Sequence, residues 1–212
     1  MEFHDVVRRR RMVRNYRPDS VDVAAVERIV EAGRRAPSAG NTQGQSFVVV
    51  TDPEVRNQIA SIAGEAEYVA KGFDPWISRA PVHIVICVSE SLYRERYAEP
   101  DKTDDPDEPQ DWPVPYWWVD AGASLMAILL AAVAEELAAG FLGSHAMDSL
   151  ASVLGIPEGV DPIGVVTIGH PDADRRSGSL ARGRRATESV VHWDRWTTDS
   201  SSSDGREDHG AS

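Results

Sequence analysis

The chain has 212 residues, 42% of them apolar, and its 34 acidic against 22 basic side chains give a formal charge of −12. That composition describes a globular protein of one domain, or one domain with appendages, with enough apolar material for a full core. A single cysteine, Cys87, excludes an intrachain disulfide and a multi-cysteine metal site, and four arginines between Met1 and Arg11 stand where a signal peptide needs an apolar stretch, so a cytoplasmic location is expected.

A first helix is expected over Glu2 to about Arg9, followed by an extended exit through Tyr16, Arg17 and Pro18. Asp19, Ser20 or Asp22 can cap a second helix that carries Val23, Val26, Ile29 and Val30 on one face and stops before Pro37. Ala36 to Gln45 is a small, polar, glycine-containing loop, and Phe47 to Val50 read as a buried strand within Ser46 to Thr51. Pro53 to about Ala63, ending at Gly64, is a third helix, and Pro81 to Val88 a second apolar strand.

Glu90 to Pro115 carries five prolines and no helical or strand period. With Trp112, Tyr116, Trp117 and Trp118 at its end, the segment 90–118 reads either as an active-site lid or as a solubilising loop. Ala121 to Ala134 runs without a charge but is short of a membrane span, so it reads as a helix buried in the core or against a second subunit, broken by Gly140 and Gly143. Met147 to Leu154 makes a short helix, Ile163 to Gly169 a third strand, and an arm then leads to Trp196. Residues 197–212 read as a disordered acidic tail behind a single domain over 1–196. The order is that of an α+β fold.

The net charge is uneven. Glu99 to Asp111 holds seven acids and one base, and Asp199 to Ser212 four acids and one arginine, which leaves the remainder nearly neutral. Ten of the twenty arginines fall in two clusters: Arg8, Arg9, Arg10, Arg11 and Arg14, then Arg175, Arg176, Arg182, Arg184 and Arg185. Such clusters are a solvated face, a nucleic-acid surface, or a grip on a phosphorylated small ligand, to which planar guanidinium groups offer paired hydrogen bonds. The acidic segments repel a polyanion, so no nucleic acid is expected. Walker and GxGxxG loops are absent, and the six histidines lack metal-site spacing. Ser144, His145 and Asp148 have the residue types of a triad but not its spacing, and Ser144 reads better as a helix cap.

Arg10-Arg11-Met12-Val13-Arg14-Asn15-Tyr16 resembles the opening signature of the nitroreductase family. Ala36-Pro37-Ser38-Ala39-Gly40-Asn41-Thr42-Gln43 before an apolar strand is similar to its second signature. Gly140 to Gly143 looks like its glycine turn, Leu154-Gly155-Ile156-Pro157 like its next stretch, and Arg182-Gly183-Arg184-Arg185 before Val190-Val191-His192-Trp193 like its basic C-terminal segment. Two departures stand out: Met12 where the family usually has serine, and Gly44-Gln45 in place of proline and tryptophan.

The resemblance implies a mainly antiparallel sheet flanked by helices, in a homodimer that exchanges its C-terminal arms and holds flavin mononucleotide (FMN) at the subunit interface. Arg10, Arg11, Met12 and Arg14 would meet the phosphate and the polar edge of the ring, with Arg182 and Arg184 closing on the same phosphate. Pro37, Ser38, Ala39 and Asn41 would come from the other subunit, and Gly143, Ser144 and His145 would bring a backbone amide to the ring. No side chain is implied as acid or base, because the cofactor carries the chemistry. The implied activity takes electrons from NADH or NADPH to a nitroaromatic or quinone. The alternatives are a flavin-fragmenting relative, a dehalogenating relative, or a non-catalytic flavin- or deazaflavin-binding protein.

Overall fold

Val82–Val88 and Asp161–Gly169 are apolar runs too short for helices, and both form buried central strands. The computed structural model describes residues 1–105, 111–175 and 178–196. The expected tail and residues 106–110 of the acidic segment lie outside the described residues. The chain forms two units, Met1–Arg175 and Arg176–Ser212.

In the first unit the sheet comprises β1 (Gln45–Val50), β2 (Val82–Val88), β3 (Ala138–Gly143) and β4 (Asp161–Gly169), in the order β1-β2-β4-β3 with every pairing antiparallel. The helices are α1 (Phe3–Arg9), α2 (Val23–Arg34), α3 (Pro53–Ile62), α4 (Glu65–Ala70), α5 (Trp76–Arg79), α6 (Glu90–Tyr97), α7 (Tyr116–Ala134) and α8 (Leu150–Leu154). Strand period two sorts the core into two layers. Val82, Ile84, Ile86 and Val88 pack towards α2 and α7, whereas Val85 and Cys87 pack towards α3, α5 and α8. The sheet therefore has helices on both faces, an α+β arrangement.

Local chemistry sets several boundaries. Asp22 caps α2 by accepting from the Ala24 amide at 3.2 Å, and Asp52 caps α3, which Pro53 opens. Gly155, at φ 62°, closes α8 in the left-handed region.

Four sequence expectations are corrected. β1 is an edge strand rather than a buried one, and Val49 is 42% exposed. Val23 lies outside the buried face of α2, which is made by Ala25, Val26, Ile29 and Gly33. The segment after Glu90 opens with a helix, α6, whose charges mask its periodicity. Gly140 and Gly143 belong to β3 rather than to a break. A Cβ at Gly140 would stand 2.5 Å from the Val13 carbonyl oxygen and 3.0 Å from Thr167 Oγ1, so glycine admits the N-terminal segment against the strand.

Helix α7 is long and apolar enough to cross a membrane by length and composition. Here Trp117, Asp120, Ala121, Ser124, Ile128, Leu129 and Ala132 are buried within the fold. It begins at Tyr116, five residues before the uncharged run, because Trp117 is a core residue. Trp112 packs edge-on against Tyr97 and Trp117, with ring centroids 4.6 and 6.0 Å apart. Both tryptophans are anchors, while Trp118 faces solvent.

In the second unit, Gly178–Arg182 and Thr187–Ser189 are 3₁₀ turns. Arg185 Nη2 donates to the Ser189 carbonyl at 2.6 Å, and the rings of His192 and Trp196 stack at 4.2 Å.

Candidate functional site

Residues 10–16 leave α1 as an extended segment beside β3. The Val13 amide donates to the Ala139 carbonyl at 3.0 Å and Met12 bridges the same residue. Tyr16 is fully buried and its hydroxyl lies 2.8 Å from Thr167 Oγ1 and 3.0 Å from the Val13 carbonyl oxygen. Burial keeps that phenol protonated well above its ordinary range. Asn15 donates to the Ala173 carbonyl at 2.7 Å and accepts from Arg79, while the Arg14 amide donates to Asp174 at 3.0 Å. Val13, Asn15 and Tyr16 thus face inward, Arg10 and Arg14 are half-buried, and Arg11 and Met12 are exposed.

The arginines elsewhere in this unit are mostly neutralised. Arg8 pairs with Asp5, Arg17 with Asp19, Arg28 with Glu135, Arg34 and Arg35 with Glu31, Arg94 with Glu90, and Arg96 with Asp101. Arg9, Arg10, Arg11 and Arg14 form no salt bridge among the described residues. The Arg14 guanidinium carbon is 5.8 Å from the centre of the Trp76 ring, and both residues line a cavity of about 130 Å³ with Phe141 and Leu142. Glu65 also lines it, but its carboxylate is committed to the Ile77 and Ser78 amides at 2.5 and 3.1 Å. Arg9 and Arg11 line a wider cleft of about 500 Å³ with Val13, Val133 and Leu137, where Glu136 is the one acidic residue. Two of these four arginines, Arg10 and Arg14, are half-buried, and none pairs with a carboxylate among the described residues, an arrangement suited to a bound anion.

Gly143 ends β3, and Ser144 and His145 follow it. The His145 ring folds back over Gly143, where a Cβ would stand 2.7 Å from Nδ1. Ser144 is not the expected helix cap: it is the first residue of a 3₁₀ turn, Ser144–Ala146, and α8 begins at Leu150 behind Ser149. No hydrogen bond joins Ser144, His145 and Asp148 among the described residues.

The loop 36–44 is held in an unusual backbone. Gly40, Asn41 and Gln43 have φ of 61°, 55° and 54°. Its amide at Ala39 donates to Asp120 Oδ2 at 2.8 Å, Arg96 Nε donates to the Gly40 carbonyl at 2.9 Å, and the Gln43 amide donates to Ser38 Oγ at 2.8 Å. Pro37 and Asn41 are exposed, and Ser38 and Ala39 half-buried. Gly44 has its own cause: a Cβ there would lie 2.4 Å from the Tyr93 ring. The Tyr93 hydroxyl donates to Asp120 Oδ2 at 2.8 Å.

Within one chain, Arg14 meets Phe141 and Leu142, immediately before Gly143. The loop 36–44 enters β1, which pairs with β2 at Gln45–Val88, and Gly143 pairs with Gly164 in β4. Both leave the same end of the sheet, but on its opposite edges. Neither arginine-lined cavity includes a loop residue. Arg182 and Arg184 belong to the second unit, are exposed, and form no ion pair among the described residues. Sequence reasoning missed Tyr93, Arg96 and Asp120; the one available signal was Asp120, the one charged residue of the apolar helix α7.

The family model described as the nitroreductase family matches residues 7–170. An FMN reductase [NAD(P)H] of Bacillus subtilis is 31% identical over 188 residues, covering 86% of this chain and 69% of that protein. Among solved structures, NfrA2 of B. megaterium superposes with a TM-score of 0.73 at 22% identity, over 94% of this chain and 77% of that one. The NADPH:FMN oxidoreductase of Vibrio harveyi, complexed with NAD+, superposes with a TM-score of 0.70 at 24% identity, over 92% and 78%.

Proposed function

The chain belongs to the nitroreductase family, and from that premise we propose that it is an FMN-dependent oxidoreductase carrying electrons from NADH or NADPH to a small acceptor such as a nitroaromatic or a quinone. The observation that carries this reading is the arginine cluster without carboxylate partners. A phosphate dianion supplies the missing counterion, and guanidinium groups meet its oxygens through paired hydrogen bonds.

Arg10, Arg11 and Arg14 hold the phosphate and the polar edge of the ring, assisted by Arg182 and Arg184. Met12 offers no hydroxyl there, so the grip falls on the arginines and on backbone amides. Gly143, Ser144 and His145 present the end of β3 to the flavin. Pro37, Ser38, Ala39 and Asn41 come from a second copy, because in one chain the loop and Gly143 sit on edges three strand spacings apart, roughly 14 Å. Bound FMN would supply the redox chemistry of such a ping-pong exchange between nicotinamide and acceptor, while these residues would hold and orient it.

The surface favours such a dimer. Helix α1 packs on α7, and together they expose Phe3, Val7, Val119 and Met126, at 65%, 47%, 51% and 46%. Exposed apolar side chains on two packed helices suit an interface with a second copy. Arm exchange would bury Val190, Val191, Trp193 and Trp196 on the partner. The same reading takes the protein to be cytoplasmic, with a small-molecule acceptor rather than a membrane or a nucleic acid as its partner.

The purified protein should be yellow, should bleach anaerobically with NADPH or NADH, and should regain colour on addition of a quinone. A yellow protein that neither nicotinamide bleaches would point to flavin storage, and a colourless protein with no affinity for FMN would overturn the reading.

A further inference from the structure

Asp101 lies at the start of the acidic segment, and it engages Arg96 of α6 through two parallel hydrogen bonds, Nη1 to Oδ1 at 2.6 Å and Nη2 to Oδ2 at 2.7 Å. Glu99 adds a third contact at 2.9 Å. Arg96 is the more enclosed partner, with its side chain 21% exposed against 58% for Asp101. The third guanidinium nitrogen, Nε, donates to the Gly40 carbonyl at 2.9 Å. On the other side of Gly40, the Ala39 amide is fixed by Asp120, whose same oxygen accepts from Tyr93. Consecutive residues of the loop are thus gripped by an arginine from α6 and a buried acid from α7. Asn41 and Gln43 sit in left-handed backbone conformations that non-glycine residues rarely adopt and that persist only when the surroundings impose them.

We propose that Arg96, oriented by Asp101, is a positioning residue that holds the loop 38–41 in its flavin-binding shape, with Asp120 as the fixed point on the other side. The proposal rests on the reading that this loop touches FMN. It gives the beginning of the acidic segment a task other than solubility: its charge locks a guanidinium whose free donor sets the loop. No contact between Arg96 and the flavin is needed. Without Arg96 the loop samples other backbone states, and binding must select the competent one.

The test is the dissociation constant and dissociation rate of FMN, followed by flavin fluorescence on the full chain, beside the thermal midpoint of the flavin-free protein. Arg96→Ala and Asp101→Ala should each weaken FMN binding about tenfold, through slower association at an unchanged dissociation rate, with the flavin-free midpoint unchanged. Asp101→Glu, which keeps the carboxylate, should stay within about twofold of the parent. FMN affinity unchanged in Arg96→Ala, while Arg10→Ala loses it, would overturn the positioning role and leave the flavin reading intact. A flavin-free midpoint that falls in step with affinity would make Arg96 merely structural and also overturn it. If the parent chain binds no FMN, the underlying reading fails and this proposal with it.

Discussion

Arg10 and Arg8 are two residues apart and chemically identical, yet only one has a partner. Arg8 is 77% exposed and pairs with Asp5 at 2.6 Å, whereas half-buried Arg10 has no carboxylate among the described residues. Arg10→Ala or Arg14→Ala should therefore cost about 1.5–3 kcal/mol of FMN binding per charge-assisted contact, and Arg8→Ala little, as read by fluorescence titration. Equal small losses at all three would return the cluster to an ordinary solvated face. His83 makes a separate prediction about stability. It is fully buried in β2, its Nε2 lies 2.8 Å from the Ile77 carbonyl oxygen, and burial lowers its pKa from 6.5 to about 4. Between those values the unfolded chain takes up a proton that the folded chain refuses. Stability should thus fall as pH drops from 6.5 towards 4, by up to about 3 kcal/mol. Urea unfolding across that range should show a steeper loss for the parent than for His83→Gln. The arginine-rich signature was legible because its residues are adjacent, whereas the absence of carboxylates around it depends on chain segments distant in sequence.

At the scale of elements, the sequence disclosed the central strands β2 and β4 and the helices α2 and α3, where apolar period and capping residues agree. It concealed β3, because Gly140 reads as a helix breaker when its reason is the crossing of Val13. It concealed α6 for a different cause: only Tyr93 of that helix is buried, so there is little apolar stripe to see. Gly140→Ala drives a methyl against a backbone oxygen that cannot yield by changing rotamer. It should destabilise the fold by about 1–3 kcal/mol and, by pushing residues 12–14 off β3, weaken FMN binding as well. A thermal melt and an FMN titration read the two effects, and an unchanged melt would contradict the crossing. The loop 36–44 was recognisable from its composition, but its grip by Asp120 and Arg96 joins residues up to 81 positions apart and has no local signature.

For the whole molecule, the formal charge of −12 describes the acidic segment and the tail more than the body. The body is nearly neutral and carries Arg9, Arg10, Arg11 and Arg14, which form no salt bridge among the described residues, at and just beyond the C-terminal end of α1. Its exposed apolar face on α1 and α7 implies association, so sedimentation should give twice 23.2 kDa. Met126→Glu, which places a charge on that face, should yield a monomer that has lost FMN. A dimer unaffected by Met126→Glu would move the interface elsewhere. The central claim is that the arginine cluster takes a phosphate, and riboflavin is FMN without one. The dissociation constants of both ligands should be measured on the same preparation of the full chain. FMN should bind tighter by a factor on the order of 100, from two or more charge-assisted contacts, and the preference should collapse in the Arg10→Ala, Arg14→Ala double variant. Equal affinity for FMN and riboflavin in the parent chain would contradict it.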